Sequence, residues 1–191
     1  MKAVLLSIRP NWCKLIWSGM KTVGVRKTRP TLETPFKAYI YCTGHDGWVM
    51  KLPKAGVQKM DSRVIGEFTC DKIDRLAHVE AMGTNEPPKL QIVTPDLWYK
   101  PADELLQAAC LTEAQAKKYL KGGDGYGWHI SNLKIYDKPV KLKNFWAIQP
   151  CTHRGDCCTC RRWDAKKLIC RGEVFGIERP PQSWYYVEDG R

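Results

Sequence analysis

The chain has 191 residues and a formal net charge of +11, from 31 lysines and arginines against 20 aspartates and glutamates. This length suits one buried core with insertions and is short for two ordinary domains, so we expect a single domain over 1–191. Apolar runs stay well below the roughly 20 residues of a membrane helix, and the chain opens in a strand rather than a signal-peptide core. We therefore expect a cytoplasmic protein with no membrane partner.

The positive charge is concentrated in two segments. Residues 1–30 hold seven Lys or Arg and no acid, and residues 134–171 hold ten against three acids. If the two segments meet in space they form one basic face, which favours a polyanion such as nucleic acid. The alternative is that these side chains are solvated and only aid solubility. Eight aromatic residues in or beside the basic segments favour nucleic acid, because such rings can stack on bases: Trp12, Trp17, Trp128, Trp146, Trp163, Trp184, Tyr185 and Tyr186.

The first residues predict a strand, a short helix and a second strand. The apolar run 3–8 is typical of a strand, and Pro10 suits a first helical position because it has no N–H to lose. Gly19 favours the end of that helix. Alternation over 21–26 predicts the second strand, with cations where the strand–helix–strand segment ends.

The rest of the chain predicts more strands and two helices. Strands are predicted at 36–43, 63–74, 128–136 and within 173–187, with a long loop at 44–62. A helix is predicted to begin near Ala102, and a second follows a capping box formed by Thr112 and Gln115. Five or six strands with few helices predict an α+β protein with a small closed β-barrel, because an open sheet of that size would leave long edges bare.

Five cysteines and one histidine lie within residues 151–170. The C-x-x-C spacing of Cys157 and Cys160 lets two thiolates reach one zinc ion, and two flanking cysteines can complete a tetrahedron. We therefore predict a structural zinc site whose ligands are Cys151, Cys157, Cys160 and Cys170. His153 or Cys158 could replace any of the four, and free or disulfide-bonded thiols on a surface loop are the alternative. Zinc is favoured because the segment has few large apolar residues to order it otherwise.

One motif near the amino terminus has a known counterpart. Gly19-x-Lys21-x-x-Gly24-x-Arg26 resembles the G-x-K-x-x-E-x-R signature of ASCH domains, which belong to the PUA-like β-barrel superfamily. The likeness extends to the segments 7–10, 64–68, 128–130 and 181–187, and the chain resembles ASCH proteins of bacterial genomes and prophages. It covers most of the chain and leaves two insertions, one helical at 83–125 and one cysteine-rich at 151–171.

The resemblance implies a pseudobarrel with a cleft where the motif helix and strand meet, and a role in binding RNA or modified nucleotides. Some members resemble amidohydrolases that remove acetyl from N4-acetylcytidine with the motif Lys and a Thr at the Glu position, and others resemble ribonucleases. Lys21 and Arg26 match the motif. Gly24 stands at the Glu or Thr position and offers no side chain as nucleophile, base or oxyanion donor.

We therefore expect a protein that binds RNA, other single-stranded nucleic acid or a modified nucleoside. The predicted nucleotide-binding residues are cations, rings and one hydroxyl: Ser7, Arg9, Trp12, Lys21, Arg26, Arg29, Trp128 and Trp184. The alternative is a hydrolase in which Lys21 acts as base, its pKa lowered by burial near Arg9 and Arg26, with Glu67 or Glu80 as acid. A third hypothesis is a prophage-borne protein whose cysteine-rich segment contacts a host protein, and the simplest explanation is that Lys21 and Arg26 are ordinary exposed strand residues.

Overall fold

A computed structural model of the chain describes residues 2–44, 47–52, 54–80, 87–149, 163–164, 169–170 and 173–189. The fold is mixed α+β, with many strands and few helices. The strands are β1 (Lys2–Ile8), β2 (Val23–Arg26), β3 (Phe36–Cys42), β4 (Val49–Leu52), β5 (Gly56–Lys59), β6 (Arg63–Cys70), β7 (Ile73–Val79), β8 (Lys89–Val93), β9 (Tyr99–Pro101), β10 (Gly125–His129), β11 (Ser131–Val140), β12 (Trp146–Gln149), β13 (Trp163–Asp164), β14 (Ile169–Cys170), β15 (Glu173–Gly176) and β16 (Trp184–Glu188). The helices are α1 (Pro10–Trp17), α2 (Asp103–Ala108) and α3 (Glu113–Leu120), with one 3-10 turn at Leu142–Asn144.

The chain divides into two compact units, each built from separate segments. The first unit comprises Met1–Pro10, Lys37–Glu67 and Tyr136–Arg191, and the second comprises Asn11–Phe36 and Phe68–Ile135. The single domain over 1–191 stays a prediction. None of the helices in the described ranges is long and apolar enough to cross a bilayer.

The first unit is organised by a seven-stranded sheet of order β11-β6-β3-β1-β16-β12-β15. β1 is central, pairing in parallel with β3 and antiparallel with β16. Six of its seven residues are buried, which explains why it is apolar except at Lys2 and Ser7, because a buried central strand needs no alternation. The core beside it includes Leu5, Tyr39, Val64, Phe145 and Val187.

The second unit is organised by a five-stranded sheet of order β2-β10-β7-β8-β9. One face packs against α2 and α3, with a core of Val23, Val25, Leu76, Leu90, Ile92, Leu105, Leu106, Ala116 and Leu120. Glycine at 127 permits this close packing, because a Cβ there would lie 2.7 Å from a δ carbon of Leu105. The capping box predicted at Thr112 and Gln115 is confirmed at the start of α3.

The predicted closed barrel of five or six strands is wrong for the described part of the chain. The seven-stranded sheet ends at β11 and β15, and the five-stranded sheet ends at β2 and β9. Lys138 and Pro139 in β11 and Pro101 in β9 explain how the edges avoid pairing, since charges and proline both block the addition of another strand. The described sheets are therefore open and have protected edges, whereas the prediction was a closed barrel.

Other predicted boundaries are corrected by the topology. Residues 63–74 and 128–136 each hold parts of two strands, because at 71–72 and near 130 the chain passes from one sheet to the other. The predicted loop 44–62 contains the β4–β5 hairpin. The helix beginning at Pro10 and its end at Gly19, with φ of +75°, are confirmed.

The predicted cysteine-rich insertion lies mostly outside the described residues. Cys151, Cys157 and Cys160 all fall outside them. Cys170 lies in β14, whose backbone pairs with β13. Within the ranges that the structure describes, His, Cys, Asp and Glu form no group able to hold a metal ion. The zinc site therefore stays a prediction.

Candidate functional site

The site is built where α1 ends and β2 begins, within the second unit. The Gly19 N–H donates to the Ile16 carbonyl at 3.0 Å, and the Lys21 N–H donates to the Leu15 carbonyl at 3.0 Å. The positive φ of Gly19 allows this reversal without strain. The backbone of Lys21 is therefore fixed by the last turn of α1.

Lys21 is buried although its amine is mostly protonated at neutral pH. The residue is 6% exposed. Its Nζ donates to the carbonyl of Ala109 and lies 4.7 Å from the centre of the Trp12 ring, which is a cation–π contact. Among the described residues Lys21 makes no ion pair with a carboxylate. Within the described ranges, a carbonyl and an aromatic ring thus hold this cation without a carboxylate partner.

Burial changes the acidity of this amine. Desolvation lowers the pKa of Lys21 from 10.5 to about 8, Cys110 raises it in part, and the positive charge of Arg26 lowers it further. At pH 7 about a tenth of such a group is neutral, compared with well under a thousandth for an ordinary lysine. Lys21 is therefore mainly a cation at neutral pH but loses its proton readily.

The segment around Lys21 is joined to the end of α2 by two further contacts, and to the end of β10 by a third. The Thr22 N–H donates to the Ala108 carbonyl at 2.9 Å, and Cys110 Sγ lies 3.3 Å from the Met20 carbonyl oxygen that accepts its proton. The Ile130 N–H donates to the Thr22 carbonyl at 2.8 Å. The end of α2, which lies within the predicted helical insertion 83–125, thus forms one wall of the site.

Arg26 lies at the end of β2 and is half-buried, with its Nε inaccessible to solvent. Burial lowers the pKa of Arg26, and a hydrogen bond with Tyr119 on α3 opposes that change. A guanidinium stays protonated in proteins despite such a shift. Lys27 Nζ lies 5.4 Å from the centre of the same Tyr119 ring. Arg26 is thus a permanent positive charge near Lys21.

Gly24 lies between these two cations in β2, directly opposite Trp128 of β10. Outside residues 23–25, no atom of the described residues comes within 4 Å of the position a Cβ would take. The surrounding structure therefore leaves room for a side chain at position 24, where the motif has Glu or Thr.

Two other predicted binding residues of the second unit lie in different surroundings. Trp128 is 1% exposed and meets Phe36 edge to face at 5.7 Å, so it is a core residue whose ring offers no free face to a base. Arg29 is exposed and lines a cavity of about 600 Å³ together with residues 30–34 and Ile73. Neither Lys21 nor Arg26 lines that cavity.

Four predicted site residues belong to the first unit: Ser7, Arg9, Glu67 and Trp184. Ser7 is buried in β1, and Arg9 is exposed. Glu67 accepts a hydrogen bond from the Tyr136 hydroxyl at 2.6 Å, and Trp184 meets Tyr186 edge to face at 5.1 Å. Their roles in nucleotide binding, and that of Glu67 in catalysis, stay predictions.

Sequence reasoning missed two groups of this site. Ala109 acts through its backbone carbonyl, for which an alanine in a helical segment gives no signal. Tyr119 lies in the second predicted helix, and no local pattern indicates that its side chain hydrogen-bonds with Arg26. The lysine contact spans 88 residues of sequence, which local patterns do not reveal.

No protein-family model matches the chain, and no curated protein does. Among solved structures it is similar to an ASCH protein from Zymomonas mobilis, with 19% identity, a TM-score of 0.46 and coverage of 73% of each chain. Two single-residue variants of that protein are also similar, with 18% and 19% identity and TM-scores of 0.46. They cover 74% and 73% of this chain and 77% and 74% of their own. The chain thus resembles ASCH structures over about three quarters of its length.

Proposed function

We propose that this protein binds RNA or a modified nucleotide, with Lys21 and Arg26 holding a phosphate group. The observation that carries the proposal is the burial of Lys21 without a carboxylate partner in the described part of the chain. Buried charges in proteins are normally paired, because an unpaired one is costly. A ligand that brings its own negative charge supplies the missing partner.

The aromatic surface beside the cation supports a nucleotide over a simple anion. Trp12 is half-buried and already contacts the Lys21 ammonium through its ring. Base–aromatic stacking contributes about 1–3 kcal/mol per base and accepts any base. A phosphate on Lys21 and a base against Trp12 would therefore use both groups.

The charge distribution supports a polyanionic form of this ligand. The seven cations of residues 1–30, which include Lys21 and Arg26, face no acid within that segment. Binding that neutralises phosphates releases counterions, so log K falls linearly with log salt. Most of the affinity is then ionic and depends little on base sequence.

The test measures the anisotropy of labelled single-stranded RNA over a range of salt concentrations. Lys21→Ala should weaken binding to every sequence and reduce the salt slope by about one. Lys21→Met keeps the aliphatic stem and should behave in the same way, which separates lost charge from lost packing. The matched control is Lys51→Ala, an exposed lysine of β4. Absence of binding at low salt, or equal binding by all four proteins, would refute the proposal.

The lowered pKa of Lys21 favours a second candidate function, amide hydrolysis of an acylated nucleoside. An amine with a pKa of about 8 can accept a proton from water near neutral pH, which is the role of a general base. Gly24 argues against full activity, because nothing at that position can attack the carbonyl or stabilise the oxyanion. Incubation of folded protein with N4-acetylcytidine and with labelled RNA tests this; no turnover of either would exclude both reactions.

A further inference from the structure

The five-stranded sheet carries a row of arginine and tyrosine positions, with one valine between the last two. Arg26 of β2 lies opposite Tyr126 of β10, and Tyr126 lies opposite Arg75 of β7. Arg75 lies opposite Val93 of β8, which lies opposite Tyr99 of β9. Residues that oppose each other directly share one face of a sheet. The row therefore crosses all five strands on a single face.

The register places this face opposite the one that packs on the helices, although the Arg26 side chain, on the edge strand β2, also hydrogen-bonds with Tyr119 of α3. Val25, Leu76 and Ile92 alternate with the row residues along their strands, and all three lie in the core with α2 and α3. Tyr99 is 53% exposed and the Arg75 side chain is 55% exposed. The outer half of the row is thus accessible on the face that α2 and α3 leave uncovered.

Arg75 is held in place by an ion pair with Asp124. Its Nε and Nη2 donate to one oxygen of Asp124, at 3.1 and 2.6 Å. Its Nη1 makes no hydrogen bond to the described residues. Asp124 is the main cause of a raised pKa of Arg75, and the strand register places Tyr126 directly opposite Arg75. The guanidinium is therefore oriented and keeps donors for a ligand.

Rings and cations that share one face of a sheet match the chemistry of single-stranded nucleic acid. Bases stack on exposed aromatic rings, and phosphates between them bind arginine. Strands lie about 4.8 Å apart, so Tyr126 and Tyr99, three strand spacings apart, are separated by about 14 Å. Sheet faces of comparable width stack about two or three bases in RNA-binding domains.

We propose that the row Arg26, Tyr126, Arg75 and Tyr99 forms a path for single-stranded nucleic acid that leads from the Lys21 site across the sheet. This proposal rests on the proposed function, because Arg26 belongs to both. It adds a length requirement: a mononucleotide fills the Lys21 site alone, and a longer strand also reaches Tyr99.

The test compares the Kd of cytidine monophosphate with that of a single-stranded nine-residue oligocytidine, in RNA and DNA forms. Tyr99→Ala should weaken binding of the oligonucleotide about tenfold and leave the mononucleotide unchanged. Tyr99→Phe keeps the ring and should bind like the unaltered protein. Lys21→Ala should weaken both ligands. Tyr99 lies in a three-residue edge strand, so the fold should tolerate these changes, which a thermal melt checks.

The matched control is Trp146→Ala, an aromatic residue of the first unit that is 52% exposed and outside the row. It should leave both Kd values unchanged. An oligonucleotide Kd within twofold of the unaltered value for Tyr99→Ala, with Lys21→Ala still weakening both ligands, would overturn the path and leave the proposed function intact. No effect of Lys21→Ala on either ligand would overturn the proposed function itself.

Discussion

Gly24 and Trp128 lie directly opposite each other in the antiparallel β2–β10 pair, an open position facing a fully buried ring. Gly24→Thr should therefore fold normally, because no atom of the described residues outside 23–25 lies within 4 Å of the new Cβ and β-branched residues favour strands. We expect its free energy of unfolding to be unchanged or raised by up to about 1 kcal/mol. Urea unfolding measures this, and hydrolysis of N4-acetylcytidine by the same variant tests whether the missing side chain limits catalysis.

Gly127→Ala is the matched comparison, since it adds a Cβ in the next strand of the same sheet. That Cβ would lie 2.7 Å from a δ carbon of Leu105, which is buried against the sheet. Overpacking of this kind costs about 1–3 kcal/mol. Equal stability of the two variants in urea would show that the packing between sheet and α2 is looser than described.

The pKa of Lys21 predicts a dependence of stability on pH. The folded chain loses the Lys21 proton near pH 8 and the unfolded chain near pH 10.5, so between these values the unfolded state binds more protons. The Lys21 contribution to the free energy of unfolding should therefore rise by about 3 kcal/mol as pH increases across this window. Below about pH 8 the folded protein bears the full cost of burying the protonated amine.

The measurement for this prediction is the difference between the unaltered protein and Lys21→Met. The comparison is needed because burial raises the pKa of Cys70 from 9.0 to about 12, so that thiol lowers stability as pH rises through the same region. Lys21→Met should be the more stable of the two at pH 7, with the gap closing toward pH 10.5. A constant gap at all pH values would contradict the burial of a titrating amine.

Ligand binding should depend on the protonation of Lys21. A phosphate beside the ammonium favours its charged form, so binding should raise the pKa of Lys21 above 8. The affinity for cytidine monophosphate should accordingly fall as pH rises above about 8. Titration calorimetry from pH 6.5 to 9.5 measures this trend, and Lys21→Arg should bind without it, because arginine stays charged throughout.

We propose that Cys151, Cys157, Cys160 and Cys170 hold one structural zinc ion. Metal analysis of the purified chain should find about one zinc per molecule, and a chelator should lower its melting temperature. Cys157→Ser should lose the metal, while Cys13→Ser, at a buried cysteine of α1, should retain it. Absence of zinc from the unaltered protein would identify the cluster as ordinary thiols.

Local chemistry in the sequence predicted the features that depend on neighbouring residues. Pro10, Gly19 and the Thr112–Gln115 pair fix helix ends through their own dihedral angles or hydrogen bonds, and each lies where predicted. The β8–β9 hairpin was missed because the prolines around it indicate loop. Pro101 is tolerated there since β9 is an edge strand.

Features that depend on distant residues could not be predicted in this way. The motif placed Lys21 and Arg26 near each other, but the acceptor of Lys21 is a carbonyl 88 residues away. The row that ends at Tyr99 follows from strand register, which pairs residues far apart in sequence. The predicted closed barrel is wrong because closure is only one way to protect the edges of a sheet. Lys138 and Pro139 protect the β11 edge of an open sheet equally well.

The hydrogen bonds between segment 20–22 and segment 108–110 make the lysine inseparable from the α2–α3 pair. Transplanting Gly19 to Arg26 into another protein would move the sequence motif but leave behind the carbonyl that positions the amine. Loss of the helix pair would likewise expose Lys21 to water and return it to the behaviour of a common surface lysine. Recognition in this protein is thus a property of the folded helix–sheet layer rather than of a portable peptide.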